Sequence, residues 1–331
     1  MRKKILWVAQ LIISVGVLCY ISYIIPFTEV FQNISAANIW YILIALLLTQ
    51  LNLYVSALKL KFLTHRQKMG ITVGNIVKIN YITKFYDLFL PQAVSGGVVR
   101  WYMLSNPDKK PAQALASMVF NKLSEMQILV LMGLSFWMID KPPESTGITG
   151  MTLVILTMIM FSVYPIVLNQ TISNFLFNCL NRLPFIPQIV IDKINKLLVS
   201  IETFKQFSKT ELLIVFGFAF ARYLIGLLSA YIFALSLGLN VGFFSIGWIR
   251  TILLIICLIP VSINGIGFRE GSLIYMLGLY GVSPTAAVAY SFLFYIVNLF
   301  GAVIGGVCLI IKLFFTGRKT KTILQKIPGK V

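Results

Sequence analysis

Charged residues are scarce in this sequence, and so are histidine and cysteine. Only 11% of its 331 residues are charged and 58% are hydrophobic, whereas an ordinary soluble domain carries about 25% charged residues. The composition therefore excludes an ordinary soluble protein and indicates a polytopic helical membrane protein. The single histidine, His65, lies in a basic stretch, and the four cysteines form no CxxC pair, so neither residue type indicates a catalytic or metal site.

Sequence motifs for common cofactors are missing as well. The chain contains no HExxH, Walker loop or dinucleotide fingerprint, so we expect no cofactor, no metal and no ATP-driven pump. Its longest polar-rich segment, about 169–210, is too short for a catalytic domain. We expect residues 1–331 to form a single integral membrane domain.

The net charge of +18 does not indicate nucleic acid binding, because the basic residues gather in short loops and at the chain ends. This distribution follows the positive-inside rule and predicts a multi-pass plasma-membrane protein with both termini in the cytoplasm. Lys59, Lys78 and Lys84 are assigned to the cytoplasmic set on this basis. Only Lys141 is assigned to the outer face.

Apolar runs predict membrane spans at about 5–25, 38–58, 112–139, 148–168, 211–237 and 285–311. A further segment, about 185–206, repeats apolar residues at steps of three and four with lysines between them. This pattern predicts an amphipathic helix lying on the cytoplasmic surface of the membrane.

Two apolar regions are broken by similar short sequences. One break runs from Pro91 to Arg100 and the other from Pro260 to Arg269, each with nine steps from proline to arginine. Both place a small polar residue directly before a glycine, in Ser95-Gly96 and Asn264-Gly265. Proline and glycine break helices, and such breaks at corresponding places in two halves of a membrane protein indicate a transport site.

The charge pattern predicts that the two broken regions enter the membrane from opposite sides. Lys109 and Lys110 bring the chain back to the cytoplasm after 72–106, whereas 243–280 has to enter from outside for the C-terminus to be cytoplasmic. We therefore predict an all-α fold with two re-entrant broken-helix hairpins in an inverted repeat. The repeated halves are about 38–168 and 211–312.

The tips of these hairpins are predicted to bind an anion. Helix N-termini offer N–H groups, glycines allow close approach, and arginine binds phosphate through two parallel hydrogen bonds. In a membrane the expected anion is a lipid headgroup. Alternatively, the arginines are paired structurally, and the carboxylates are counter-ions or bind a cationic headgroup. The candidate binding residues are Ser95, Gly96, Gly97, Arg100, Asn264, Gly265, Gly267, Arg269, Glu270, Asp87, Glu125 and Arg222.

The stretches Leu90–Arg100 and Ile259–Gly271, with the turn at Gly281 and the alanine-rich helix after it, carry a family resemblance over nearly the whole chain. The chain resembles the transmembrane flippase domain of the lysylphosphatidylglycerol synthase/flippase (MprF-type) family. The resemblance implies a plasma-membrane protein with re-entrant helices that moves or binds phospholipid or isoprenoid-linked lipid. Full-length members carry a soluble aminoacyl-transfer domain, which this chain lacks, so we do not expect aminoacyl-transferase activity from it.

The first hypothesis is a flippase-like protein that binds an anionic phospholipid or a lipid-linked headgroup between the two hairpins. The alternative is an enzyme or membrane subunit in phosphatidylglycerol lysylation or lipid-linked glycan synthesis. For an enzyme, Asp87, Glu125 and Glu270 are the only acid–base candidates. A separately encoded synthase and an oligomeric partner are left open.

Overall fold

The computed structural model describes residues 26–89, 96–142, 147–168, 200, 204, 206–257 and 267–316. These residues form helices joined by short turns, and no strand occurs among them. In chain order the helices are α1 (Phe27–Ser35), α2 (Ile39–Arg66), α3 (Val73–Phe89), α4 (Gly96–Ser105), α5 (Pro111–Asp140), α6 (Gly147–Leu168), α7 (Lys209–Ser236), α8 (Phe243–Ile256), α9 (Phe268–Gly278) and α10 (Pro284–Thr316).

The structure confirms the all-helical fold, and four of these helices, α2, α5, α7 and α10, are long and apolar enough to cross a membrane. Helix α2 continues two turns beyond the predicted end near residue 58. Helices α4 and α9 begin within the two predicted breaks, at Gly96 and Phe268, and the tips of the breaks, with Ser95, Asn264 and Gly265, lie outside the described residues. The first span and nearly all of the amphipathic segment also lie outside them.

Helices α2 and α7 are equivalent elements of the two halves. Each has 28 residues, and Asn52 in α2 corresponds to Arg222 in α7 at a separation of 170 positions. Both helices begin after a side-chain cap, Asn38 or Ser208. Two positions beyond each helix, Lys68 and Gly238 both take a positive φ, at 54° and 66°. Helices α2 and α7 therefore agree in length, in the spacing of their ends and in the backbone conformation of the turn that follows each of them.

The two equivalent helices pack antiparallel against each other. The Asn38 N–H donates to the Ser236 carbonyl near one end of the pair, Asn52 meets Arg222 in the middle, and Arg66 pairs with Glu211 near the other end. If each residue of α2 is replaced by its equivalent in α7 and the reverse, the contacts at the two ends of the pair exchange. The contact in the middle then maps onto itself, with Asn52 and Arg222 exchanging places. The Asn52–Arg222 contact therefore lies near the middle of an antiparallel helix pair.

Several other helix contacts follow the same exchange. Helix α3 packs on α10 as α8 packs on α5, and each half contains the consecutive contacts α2–α3–α4–α5 or α7–α8–α9–α10. Close approach uses glycine in both helix pairs, since Gly133 leaves room for Thr251 and Gly305 leaves room for the Tyr81 backbone. Gly305 thus allows close packing of α10 on α3, as small residues do between membrane helices.

The polarity of the fold is the reverse of that of a water-soluble protein. Large apolar side chains such as Trp40 and Leu47 are 71% and 66% exposed, while Lys59 is fully buried and Glu270 is 3% exposed. Hydrocarbon around the molecule favours this arrangement, because polar groups need partners inside it. The structure and the apolar spans together show a membrane protein with a polar interior.

One end of the helix bundle is tied by a cluster around Asp140. Its carboxylate accepts hydrogen bonds from Ser245 at 2.7 Å, from Trp248 at 2.9 Å and from the Tyr280 hydroxyl. Burial first, and then the bond to Asp140, raises the pKa of Tyr280 to about 12, so its proton stays in place at neutral pH. The cluster joins the end of α5 to α8 and to the turn before α10.

Candidate functional site

A cavity of about 650 Å³ opens between the two halves of the molecule. It is lined by residues of α2, α3 and α4 from the first half and of α7, α8, α9 and α10 from the second. Among the described residues, five basic side chains reach it but only one carboxylate does: Lys84, Arg100, Arg222, Arg250 and Arg269, against Asp87. Such a balance in a largely apolar protein favours an anionic ligand.

Polar stripes on two apolar helices supply much of the lining. On α2, Thr49 and Asn52 face the cavity, and Ser56 and Lys59 continue the stripe at helical spacing. On α3, Asn80, Thr83, Lys84 and Asp87 form a second stripe. Because residues three and four apart share one face of a helix, each apolar run turns a single polar face inward.

Asp87 positions the start of α4. Its Oδ1 accepts the Gly96 N–H at 2.7 Å, and an added Cβ at Gly96 would collide with Thr83 and Asp87. Glycine is therefore required here for close packing, and the carboxylate offsets the unpaired N–H groups of a helix start. Gly97, also predicted to bind ligand, is exposed with open space around it.

Arg100 follows one turn later on α4 and lines the cavity. Its Nε is buried and has no hydrogen-bond partner among the described residues. A buried guanidinium donor without a partner costs free energy, so a ligand oxygen at this place would stabilise the site. Arg100 is the predicted residue whose surroundings most resemble an anion site.

Arg269 occupies the corresponding place in the second half but is held by protein groups. Its guanidinium donates to Glu270 at 3.3 Å and to Ser291 at 2.9 Å, and it lies 3.6 Å from the centre of the Tyr295 ring. Glu270 also accepts the Gly267 N–H at 2.7 Å, where the backbone has a φ of 85°. The structure therefore shows the paired arrangement considered for Arg269.

The expectation of free backbone N–H groups at both helix starts is wrong at two positions. The Gly96 N–H is bonded to Asp87 and the Gly267 N–H to Glu270. Each break carries its own carboxylate, and that carboxylate occupies the donor that a phosphate was expected to use. Side-chain cations therefore dominate the described part of the site.

Arg222 joins a second buried cluster. It pairs with Glu125, and its Nε donates to Asn52 at 3.2 Å, while the Asn52 amide donates to the Arg222 carbonyl at 2.7 Å. Lys59 lies 3.8 Å from the same carboxylate and donates to Ser124 at 2.8 Å. The counter-ion role considered for Glu125 is confirmed by these contacts.

Three further basic residues contribute to the interior. Lys59 and Lys84 were counted only as markers of the cytoplasmic side. In the structure α2 continues past Lys59, which is fully buried, and Lys84 lies in α3, where it donates to Asn298 at 2.9 Å. Arg250 on α8 lines the cavity and lies over the Tyr223 ring at 5.6 Å. The polar stripes of α2 and α3 would have revealed the first two.

No metal site accompanies these charges in the described part of the chain, where no group of three or more His, Cys, Asp or Glu side chains comes together. The described site has two kinds of cation. Some, such as Arg100, have no carboxylate paired with them among the described residues, and others, such as Arg222 and Arg269, are already paired with a carboxylate. The first kind can bind an anion directly. The second has to exchange one anion for another.

Most of the chain matches a known protein family. The family model described as "Lysylphosphatidylglycerol synthase TM region" matches residues 7–306. The chain belongs to this family. No curated protein matches the chain significantly. The match covers both halves and every residue of the described cavity, and it indicates a lipid-related function in a membrane.

Proposed function

We propose that this protein moves an anionic lipid across the plasma membrane by binding the phosphate of its headgroup in the cavity between the two halves. The observation that carries the proposal is the excess of cations around a space of about 650 Å³. Arg222 and Arg269 have carboxylate partners, and beyond them Lys84, Arg100 and Arg250 share the lining with the single carboxylate of Asp87 among the described residues. Arg100, with its unpartnered buried Nε, is the first phosphate ligand. Lys84 and Arg250 are the next.

The inverted arrangement of the halves supports movement rather than simple binding. The equivalent helices α2 and α7 pack antiparallel, so a rotation that exchanges the two halves has its axis perpendicular to these helices. Transporters built from inverted repeats have this arrangement. We infer that the two broken regions re-enter the membrane from opposite sides and that both termini are cytoplasmic. The headgroup then passes near the axis while the acyl chains stay in lipid.

The carboxylates of the interior favour transport over catalysis. Asp87 holds the start of α4, Glu125 is paired with Arg222, and Glu270 is paired with Arg269. A general acid or base has to reach the reacting proton, and each of these groups is already engaged by the protein. The charge balance further favours a phosphate-bearing anionic lipid over the cationic lysyl headgroup in the family's name.

The test is lipid exchange in liposomes that contain the purified protein. Labelled phosphatidylglycerol and labelled lysylphosphatidylglycerol are compared, with an impermeant quencher reporting which leaflet holds each label. We expect exchange of phosphatidylglycerol, and a loss of about 30-fold in Arg100→Ala, since a charge-assisted hydrogen bond contributes about 2 kcal/mol.

Arg66→Ala is the matched control, because Arg66 pairs with Glu211 outside the cavity and its side chain is 45% exposed. Exchange by this variant should match the wild type. Equal or faster exchange of the lysyl lipid would contradict an anionic cargo. No exchange of either lipid would overturn the transport function and favour a membrane subunit.

A further inference from the structure

The cavity between the two halves carries more positive charge than the protein neutralises. Among the described residues, its five cations have three carboxylates, one in the lining and two paired with lining arginines: Asp87, Glu125 and Glu270. Two positive charges are therefore left over. Glu125 also lies 3.8 Å from Lys59, so it shares its charge with a cation beyond the lining. The excess in the described site is thus at least two.

The hairpin tips cannot supply the missing negative charge. Residues 90–95 and 258–266, which lie outside the described residues, contain no aspartate and no glutamate. They contain no lysine or arginine either, so the two breaks leave the charge balance as it stands. The other acidic residues outside the described parts lie in segments that the sequence predicts at the membrane surface: Glu144, Asp192 and Glu202.

The surplus charge lies on three cations from three helices. Lys84 on α3 donates to the neutral amide of Asn298 at 2.9 Å, and Arg250 on α8 lies over the Tyr223 ring at 5.6 Å. Arg100 on α4 has a buried Nε with no hydrogen-bond partner among the described residues. None of these contacts brings a negative charge. Because a buried cation without a counter-ion is unfavourable, the three together need an anion from a ligand.

The carboxylate that lines the cavity with these cations is partly used by the backbone. Asp87 accepts the N–H of Gly96, the first residue of α4, at 2.7 Å. A helix N-terminus carries about half a positive elementary charge, which this carboxylate also compensates. Glu270 has the same place at the start of α9, where it accepts the Gly267 N–H at 2.7 Å. A ligand with one negative charge would therefore leave the cavity positive.

We propose that the preferred ligand of the cavity is a lipid that ends in a phosphate with two negative charges, a phosphomonoester or a diphosphate. A phosphodiester such as phosphatidylglycerol carries one negative charge and binds more weakly, because one surplus cation then has no counter-ion. A terminal phosphate has a second pKa of about 6 and offers three acceptor oxygens, enough for cations from three helices. This inference rests on the proposed function, since it takes the same cavity as the lipid site.

The surroundings of the cavity favour a lipid over a soluble phosphate ester. Three of the helices that line it, α2, α7 and α10, are long and apolar enough to cross a membrane. Leu53, Leu88 and Phe294 line the same space as the cations. An acyl chain can therefore make apolar contacts beside the charged group, whereas a soluble phosphate has only the charges to hold it.

Phosphatidic acid and phosphatidylmethanol test the second charge directly. They are used with the same acyl chains and both contain the phosphate, but the methyl ester of phosphatidylmethanol removes one ionisable oxygen. An equimolar mixture is added to the purified protein in detergent at about pH 8, where phosphatidic acid is doubly charged. Native mass spectrometry then counts the bound lipids. We expect about tenfold more bound phosphatidic acid, as one further charge-assisted contact predicts.

Arg250→Gln and Lys84→Gln each remove one surplus charge from the cavity. Loss of a cation weakens binding of the doubly charged lipid more than that of the singly charged one, so the two lipids should bind in about equal amounts. Arg66→Gln is the matched control, because Arg66 pairs with Glu211 outside the cavity, and it should keep the preference. If Arg250→Gln does not fold, Lys84→Gln and the lipid comparison in the unchanged protein still decide the result.

Equal binding of the two lipids by the wild type would overturn the doubly charged ligand and leave transport of a singly charged lipid standing. A preference that persists in both folded cavity variants, or that is lost in Arg66→Gln as well, would overturn the role of the cavity in it. Displacement of phosphatidic acid by excess inorganic phosphate would overturn a lipid ligand. A tenfold preference without phosphatidylglycerol exchange in liposomes would support this inference and count against transport alone.

Discussion

Arg100 and Arg269 hold corresponding places in the two halves, yet the protein treats them differently. Arg269 has Glu270, Ser291 and the Tyr295 ring around it, and only 8% of the residue is exposed. Arg100 lines the same cavity with a buried Nε that has no partner among the described residues. The repeated motif therefore gives one structural arginine and one that is open to a ligand.

The neighbours explain the difference. The residue after Arg269 is Glu270, whereas the residue after Arg100 is Trp101, whose indole N–H donates to the Pro111 carbonyl at 2.8 Å. Where α10 presents Ser291, the corresponding residue of α5 is Met118. The first half lacks both groups that bind the guanidinium in the second. The position of an arginine in a motif thus does not determine its role.

The largest expected effect comes from breaking the Arg269 pair. Arg269→Ala leaves Glu270 buried without its cation, and losing one partner of a buried ion pair costs about 3–5 kcal/mol. Thermal unfolding of the purified protein should show a clear loss of stability. Arg269→Met combined with Glu270→Gln should recover much of it, because no unpaired charge is then buried.

Arg100→Ala is the comparison for this loss. It should leave the unfolding temperature close to that of the wild type while removing lipid exchange. Equal destabilisation by Arg100→Ala and Arg269→Ala would mean that Arg100 has a structural partner too. The distinction between the two arginines would then be lost.

Much of this fold follows from sequence patterns. Apolar length predicts the spanning helices, and helices α4 and α9 begin within the paired Pro–Arg stretches. The breaks also point to Arg100 and Arg269, which both line the cavity. These features are local, so a single stretch of sequence reports them directly.

The partners within the site did not follow from sequence. Asn52 and Arg222 are separated by 170 positions, and only the packing of α2 on α7 brings them together. The place of Lys59 was not predicted correctly. A lysine at the end of an apolar run looks the same in the sequence whether it lies in a loop or is buried in the protein interior. The polar stripe from Thr49 to Lys59 distinguishes the two cases, since a loop has no reason to keep helical spacing.

A smaller effect on binding sharpens the comparison between α3 and α8. Lys84 on α3 faces the cavity, and the equivalent residue of α8, counted from the first residue of each helix, is Leu254. Lys84→Ala should slow phosphatidylglycerol exchange about tenfold, as expected for one charged contact to phosphate. Lys78→Ala removes an exposed lysine from the same helix and should leave exchange unchanged. Equal rates for the two variants would place the headgroup away from α3.

The smallest expected effect concerns the turns after α2 and α7, where the two halves have the same backbone but different residues. Gly238 and Lys68 both adopt the left-handed region, which costs a side chain about 1 kcal/mol relative to glycine. Gly238→Ala should therefore destabilise the protein by about 1 kcal/mol in thermal or denaturant unfolding. Gly217→Ala, inside α7 with open space around it, should be neutral or stabilising. Destabilisation by both would locate the cost in helix packing, and the matching turns would then carry no strain.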